Sequence, residues 1–315
     1  MQLDPAPLYT DIAPGPEGGQ AHWAETSDGR RIRLGHWPCA GARGTVLLFP
    51  GRTEYIEKYG LCAADFARRG LATMAIDWRG QGLSDRLLPD TRIGHVDVFS
   101  DYQKDVAAML RAARSLNLPR PYFLLAHSMG GCIGLRAVME GLPVQAVAFT
   151  GPMWGIYVVP HLRALAWSLA QFMPRVGQGH RLPPGTKIEA YPAIAPFDDN
   201  LLTTDPQMYD MMRDQLAAHP ELSLGGPSFV WLREALAETK HLAGRSAPNI
   251  PCVTYLGSNE RIVATDRVHK RMAQWKGGRL EIVPGGEHEV LLETPELRKP
   301  IFDGLEKLYL GNITG

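Results

Sequence analysis

The chain has 315 residues, 45% of them hydrophobic, and its 33 acidic residues balance 33 basic ones. That length suits one large α/β domain, or a core domain with an insertion, and the balanced charge offers no field to steer nucleic acid or an anionic surface. Four scattered cysteines, Cys39, Cys62, Cys132 and Cys252, form no C-x-x-C pair, which speaks against a disulfide framework or a zinc site and makes a reducing, cytoplasmic compartment the expectation.

In chain order, residues 1–19 read as a proline- and glycine-rich arm without the basic and apolar regions of a secretory signal. QAHWAETSDGRRIRLGHW alternates on both sides of a Ser-Asp-Gly turn and predicts a hairpin. TVLLFPG is a buried strand, 54–69 a helix closed by Gly70, and LATMAID a second strand. A helix over about 98–116 places Val106, Met109, Leu110 and Ala113 on one face. YFLLAH, QAVAFTG, CVTYLG and RLEIVPG are further strands. Helices are expected at MGGCIGLRAVMEG, between the last two strands, and from about 295 to 309. The alternation predicts a mostly parallel sheet covered on both faces, with ligands at the C-terminal strand ends. Residues 141–160 carry no charge over about a spanning length, but Pro143, Pro152 and Pro160 would break such a helix. No transmembrane segment is assigned.

The alternation stops between Pro152 and Ile250, where helical pieces such as HLRALAWSLAQFM and proline-rich connectors such as RLPPG replace strands. We read 152–249 as an inserted helical cap and 20–151 with 250–315 as the core. The cap helix at 161–173 presents Leu162, Leu165, Ala166, Leu169 and Phe172 at helical spacing. That face suits an acyl-chain channel, contact with a membrane surface, or packing of the cap on the core. All three readings stand open, and Leu165, Leu169 and Phe172 are carried forward as candidate substrate contacts.

In FLLAHSMGG a strand ends at His127 and Ser128 and gives way to glycines. Ser128 thus has the strand-to-helix context of a nucleophile elbow, although Ala126 stands where the G-x-S-x-G pattern asks for glycine. His127, adjacent to the serine, points elsewhere and reads as a packing residue. Of ten histidines, His288 in PGGEHEVLLETPEL combines a late position with a glycine-flanked loop, where the order Ser, acid, His puts the general base. His269, inside a helix, is the runner-up. The acid should follow CVTYLG, and Glu260 is the first carboxylate there, with Asp266 six residues on as an ordinary first-turn carboxylate. Across the site, Gly51 in FPGRTEYIEKYG lets the backbone turn and aim the Arg52 N–H at the reacting oxygen. The Met129 N–H would complete an oxyanion hole. Glu54 is either a first-turn helix carboxylate or a polar contact that orients Arg52 or substrate. DWRGQGLSD reads as a structural loop, with Arg79 and Asp85 as ion-pair candidates.

PGRTEYIEKY, DWRGQGLSD, AHSMGG and GGEHEVL together resemble the lysophospholipase and monoacylglycerol-lipase branch of the α/β-hydrolases, a group classed with serine aminopeptidases. The order and spacing match from about residue 20 to 310, and the segment LTTDPQMYDMMRDQLAAHPELSLGGPSFVWLREAL resembles the cap of the bacterial lysophospholipase type. The resemblance implies Ser128 as nucleophile, His288 as base and Arg52 with Met129 as oxyanion donors. It departs at Ala126, where glycine is usual, at Trp78, where a histidine often precedes Arg79, and at Glu260, where aspartate is usual. The expected activity is hydrolysis of a monoacyl lipid or similar ester, with no metal or cofactor. Two alternatives are a prolyl aminopeptidase-like peptidase, for which Asp198 and Asp199 could hold a free amine, and a non-catalytic binding protein. Contact with a membrane surface through the cap is an open expectation.

Overall fold

The computed structural model describes residues 3–311. Strands β1 (Asp4–Ala6), β2 (Gln20–Glu25) and β3 (Arg31–Trp37) form an antiparallel edge, with the hairpin turn between β2 and β3 at the expected place. Then come β4 (Thr45–Phe49), helix α1 (Gly60–Arg68), β5 (Ala72–Asp77), α2 (Tyr102–Ser115), β6 (Tyr122–His127), α3 (Ser128–Met139) and β7 (Val147–Thr150). After an excursion of helices, α4 (Arg163–Arg175), α5 (Tyr191–Ile194), α6 (Pro206–Ala218) and α7 (Phe229–Ala243), the chain returns as β8 (Cys252–Gly257), α8 (Thr265–Ala273), β9 (Arg279–Val283) and α9 (Pro295–Leu310). The nine-stranded sheet runs β1-β2-β3-β5-β4-β6-β7-β8-β9 and is parallel from β5 to β9.

The strand pattern explains the layers. Alternate residues of β4 leave on opposite faces. Leu47 and Phe49 join the core under α2 and α3, and Val46 and Leu48 join the core under α1 and α9. Because both faces are covered, β4, β5, β6 and β8 are buried throughout.

Two local expectations change. The N-terminal arm is not wholly irregular, since Asp4–Ala6 adds an edge strand to β2. The helix expected from residue 54 begins only as a 3₁₀ turn at Ile56–Tyr59 and becomes α-helical at Gly60. Thr53 lies in the left-handed region (φ 67°) and Tyr55 is extended, so the chain is still turning where the sequence suggested helix.

Between β7 and β8 no segment of the described residues joins the sheet. Helices there start on sequence signals: Asp205 caps α6 by accepting from the Gln207 and Met208 amides, with Pro206 next, and Ser228 caps α7 through the Trp231 amide. Helix α4 buries only Ala170 fully and leaves Leu165 and Phe172 exposed, as is Leu162 just before it.

Candidate active site

Strand β6 delivers the serine. His127 is extended, Ser128 takes φ 50° and α3 begins at once. A left-handed non-glycine residue costs on the order of 1–3 kcal/mol, and here the strain lifts the serine out of the strand direction. The turn closes because Gly130 has no side chain: a Cβ there would sit 2.1 Å from the Phe49 carbonyl oxygen and 2.5 Å from that of Pro50. Ala126 is accommodated from the helix side. A Cβ on Gly134 would come within 3.1 Å of the Ala126 methyl, so that glycine makes the room.

The loops after β8 and β9 bring Glu260 and His288 together. His288 Nδ1 lies 2.6 Å from Glu260 Oε2, and the Glu260 side chain is fully buried. Its other oxygen, Oε1, accepts from the Ile262 amide at 2.7 Å and the Val263 amide at 3.1 Å. Burial pushes the carboxyl up, but the His288 charge and hydrogen bond and the two backbone amides outweigh it and hold Glu260 below the usual glutamate range. Gly151, at the end of β7, forms the floor of this pair at φ 46°. A Cβ there would lie 3.0 Å from His288 Nδ1 and 3.1 Å from Glu260 Oε2. Asp266 is exposed in the first turn of α8 and pairs with Arg267 at 3.7 Å, and His269 is exposed further along the same helix.

Behind the pair lies a buried polar cluster that the sequence did not reveal. Glu54 accepts from the Gly51 amide, from the Tyr59 hydroxyl and, at 2.7 Å, from Lys58 Nζ. Lys58 Nζ also donates to Glu289 Oε1 at 2.6 Å. Glu54 therefore fixes the Gly51–Arg52 turn rather than serving as an ordinary helix-start carboxylate. His127 is a member of this cluster and not simply a packing residue: its Nδ1 is 3.0 Å from the Thr150 carbonyl and hydroxyl oxygens, and its Nε2 faces Glu289 at 3.3 Å and Glu54 at 3.6 Å. Burial lowers the affinity of His127 for a proton, but Glu289 and Glu54 more than reverse this and raise its pKa. Its ring centroid lies 4.8 Å from that of His288. Ligand atoms of Glu54, His127 and Glu289 fall within 4.8 Å of one another, a spacing a metal ion could use. The Lys58 ammonium already bonds both carboxylates and offsets one of their two charges.

Ser128 and His288 both line a cavity of about 730 Å³ between the strand ends and the helical excursion. Its walls are mostly apolar, with Ile156, Val158, Leu202, Met212, Leu216 and Trp231 among them, and Arg52 and Glu54 also border it. Of the α4 candidates, none of Leu165, Leu169 and Phe172 borders this cavity. Leu165 and Leu169 line a smaller groove of about 160 Å³, which shares Ala166, Pro183, Pro184 and Leu232 with the main cavity. Phe172, 57% exposed, faces away from both. The correction follows from helix geometry. Ala166 and Ala170 turn inward, whereas Leu165 and Phe172 turn outward and Leu169 is half-buried on the groove. The loop contributions of Ile156 and Val158 were missed because a connector has no periodicity to read.

Elsewhere, Arg79 pairs with Asp105 at 2.8 Å and Asp28 at 2.9 Å, and Asp85 sits beside Arg31 at 4.0 Å, so the DWRGQGLSD loop is tied down structurally. Asp199 is exposed and bonded to Arg261 at 2.7 Å. Neither Asp198 nor Asp199 borders the cavity.

A parallel sheet with an antiparallel edge and helices inserted after β7 makes this an α/β-hydrolase. Solved structures share the fold. A soluble variant of monoglyceride lipase from Saccharomyces cerevisiae, in complex with a substrate analog, superposes with a TM-score of 0.68 at 22% identity over 90% of this chain and 92% of that one. A carboxyl esterase from Bacillus coagulans gives 0.74 at 16% identity over 93% and 98%. The model of the family described as serine aminopeptidase, S33, matches residues 40–295, and the chain belongs to that family. Among its relatives, lysophospholipase L2 of Escherichia coli K12 is 35% identical over 267 residues, 80% of this chain and 76% of the relative. A probable lysophospholipase L2 of Haemophilus influenzae is 29% identical over 279 residues, 86% and 87% of the two chains. The protein is a hydrolase.

Proposed function

We propose that this hydrolase cleaves the carboxylic ester of monoacyl lipids through an acyl-enzyme on Ser128. The observation that carries the reading is the His288–Glu260 contact of 2.6 Å on the wall of an apolar cavity that Ser128 also lines. Relatives named as lysophospholipases support the substrate class.

In this mechanism Glu260 accepts from His288 Nδ1–H, leaving Nε2 as the base. Nε2 takes the Ser128 hydroxyl proton as Oγ bonds the ester carbonyl carbon, and the carbonyl oxygen gains the negative charge. The Arg52 and Met129 amides, at the ends of the paired strands β4 and β6, donate to that oxygen. The tetrahedral centre then expels the alcohol oxygen, which takes the proton from His288. Water repeats the sequence on the acyl-enzyme and releases the fatty acid. We take 20–151 with 250–315 as the catalytic core and 152–249 as a cap whose inner wall holds the acyl chain.

We also assign the outer face of this cap to contact with a lipid surface. Leu162 and Leu165 are exposed there on the small groove, and Phe172 is exposed further along α4. Among the described residues no helix is long and apolar enough to cross a membrane.

The aminopeptidase alternative has less support. A free amine needs an unspent carboxylate, yet Glu54 and Glu289, the carboxylates on the cavity wall, are both bonded to Lys58. A substrate panel tests the choice: monoacylglycerols, lysophospholipids, triacylglycerols and aminoacyl naphthylamides offered to the purified protein. Monoacyl esters should be turned over best, and selective cleavage of the aminoacyl amides would reverse the assignment.

A further inference from the structure

Buried Arg33 and Arg79 are neutralised by carboxylates, whereas buried Arg271 is satisfied by the Arg245 and Leu242 carbonyls. Half-buried Arg52 is the arginine on the cavity wall. Arg33 bonds both Glu57 and Asp77, each at 2.7 Å. Arg79 is held by Asp28 and Asp105. Arg52 has no carboxylate in ion-pair range among the described residues. Its Nη1 donates to the Gly225 carbonyl at 2.7 Å, and its guanidinium lies 5.6 Å from the centre of the Trp231 ring. Both contacts are neutral. A guanidinium has five N–H donors, so much of its capacity is left for a ligand.

A half-buried cation without a counter-ion on an apolar wall still carries a desolvation cost, and nothing about the turn demands arginine here, since the expected oxyanion donor is the backbone amide. Burial lowers the Arg52 pKa only to about 10, so the charge persists at neutral pH. Lys58, the other basic side chain on the cavity wall apart from His288, is spent on Glu54 and Glu289. The cavity thus carries one uncompensated positive charge in a mostly apolar lining.

We propose that the Arg52 guanidinium is the anchor for a phosphate-bearing head group, which makes the preferred substrate an anionic monoacyl glycerophosphate ester rather than a neutral monoacylglycerol. This rests on the ester-hydrolase reading above and adds the head group to it. The geometry matches the chemistry. The same residue offers its amide to the ester oxygen and its guanidinium one side chain away, and in a lysophospholipid three glycerol carbons separate the ester from the phosphate. The planar fork bonds phosphate oxygens bidentately, and Trp231 holds its plane from behind.

The test compares two esters with the same short acyl chain, below their aggregation threshold: a monoacyl glycerol phosphate and the corresponding monoacylglycerol. For the wild type, Arg52→Gln and Arg52→Lys, the quantity read is the ratio of kcat/KM for the two. Removing a charge-assisted contact should lower that ratio about ten- to a hundredfold in Arg52→Gln, mainly through KM, with partial recovery in Arg52→Lys. A ratio unchanged in Arg52→Gln overturns the proposal, whether or not both rates fall together. A wild type that cleaves neither ester overturns the parent reading instead. Wild-type protein alone supplies a second measurement that needs no variant. Glycerol 3-phosphate should compete with a neutral short-chain ester and lose potency as salt rises, while glycerol should not compete, and equal inhibition by the two would count against the anchor.

Discussion

Replacing Glu260 by glutamine asks whether this carboxylate sets the state of His288. The carboxylate now accepts at both oxygens: Oε2 from His288 Nδ1, and Oε1 from the Ile262 and Val263 amides. Glutamine has one acceptor for these places. If its oxygen faced His288, its NH₂ would confront two buried amides and leave them unpaired, at about 1–3 kcal/mol each. The favoured arrangement therefore keeps oxygen on the amides and turns NH₂ toward Nδ1. That forces the proton onto Nε2, the nitrogen that must accept from Ser128. A wrong tautomer of this kind costs turnover roughly four orders of magnitude, or about 5.5 kcal/mol in the barrier. The assay is kcat on a soluble short-chain ester for Glu260→Gln beside Asp266→Asn, with the melting temperature as a check on folding. The account expects Glu260→Gln to be crippled and the exposed Asp266→Asn to match wild type. A Glu260→Gln enzyme keeping a tenth of wild-type turnover would refute the reasoning, and a crippled Asp266→Asn would move the acid there.

Gly151→Ala should fold yet lose at least about tenfold in kcat, because its left-handed backbone strains alanine and the new methyl would press on both His288 and Glu260; wild-type kcat would contradict this. Because the pKa of His127 is raised on folding, its contribution to stability is full below about pH 6.5 and is lost as pH rises through the folded value. The melting-temperature gap between wild type and His127→Gln should accordingly shrink from about pH 6 to about pH 9, and a gap that widens would count against the cluster's charge state. Ala166→Trp, at the junction of cavity and outer groove, should cut long-chain ester hydrolysis well beyond acetate hydrolysis; equal loss would place the acyl chain elsewhere.

The sheet was legible because parallel strands buried on both faces are continuous apolar runs, as in TVLLF and YFLLAH. The positions of Ser128 at the turn from β6 into α3, and of Glu260 and His288 in the loops after β8 and β9, were legible because strand ends can be read locally. β1 escaped notice: Asp4–Ala6 is a three-residue edge strand containing proline, with no alternation to detect. The Glu54–Lys58–Glu289–His127 cluster escaped because its partners lie far apart in the chain and meet only when β4, β6 and β9 align their ends. The Arg52 side chain was overlooked for a related reason. Sequence shows that an arginine is present, whereas the lack of a carboxylate beside it is a property of the fold. The α4 face was read with the right period but three open readings, since spacing alone does not say which neighbour a stripe meets.

The central claim is that Ser128 carries the acyl group of a monoacyl lipid ester. The most direct measurement is kcat for monoacyl ester hydrolysis by Ser128→Ala against wild type, with matched melting temperatures. The account predicts a loss on the order of a million-fold in a folded protein. Turnover within about tenfold of wild type would contradict it, because no other hydroxyl could then be excluded as the nucleophile.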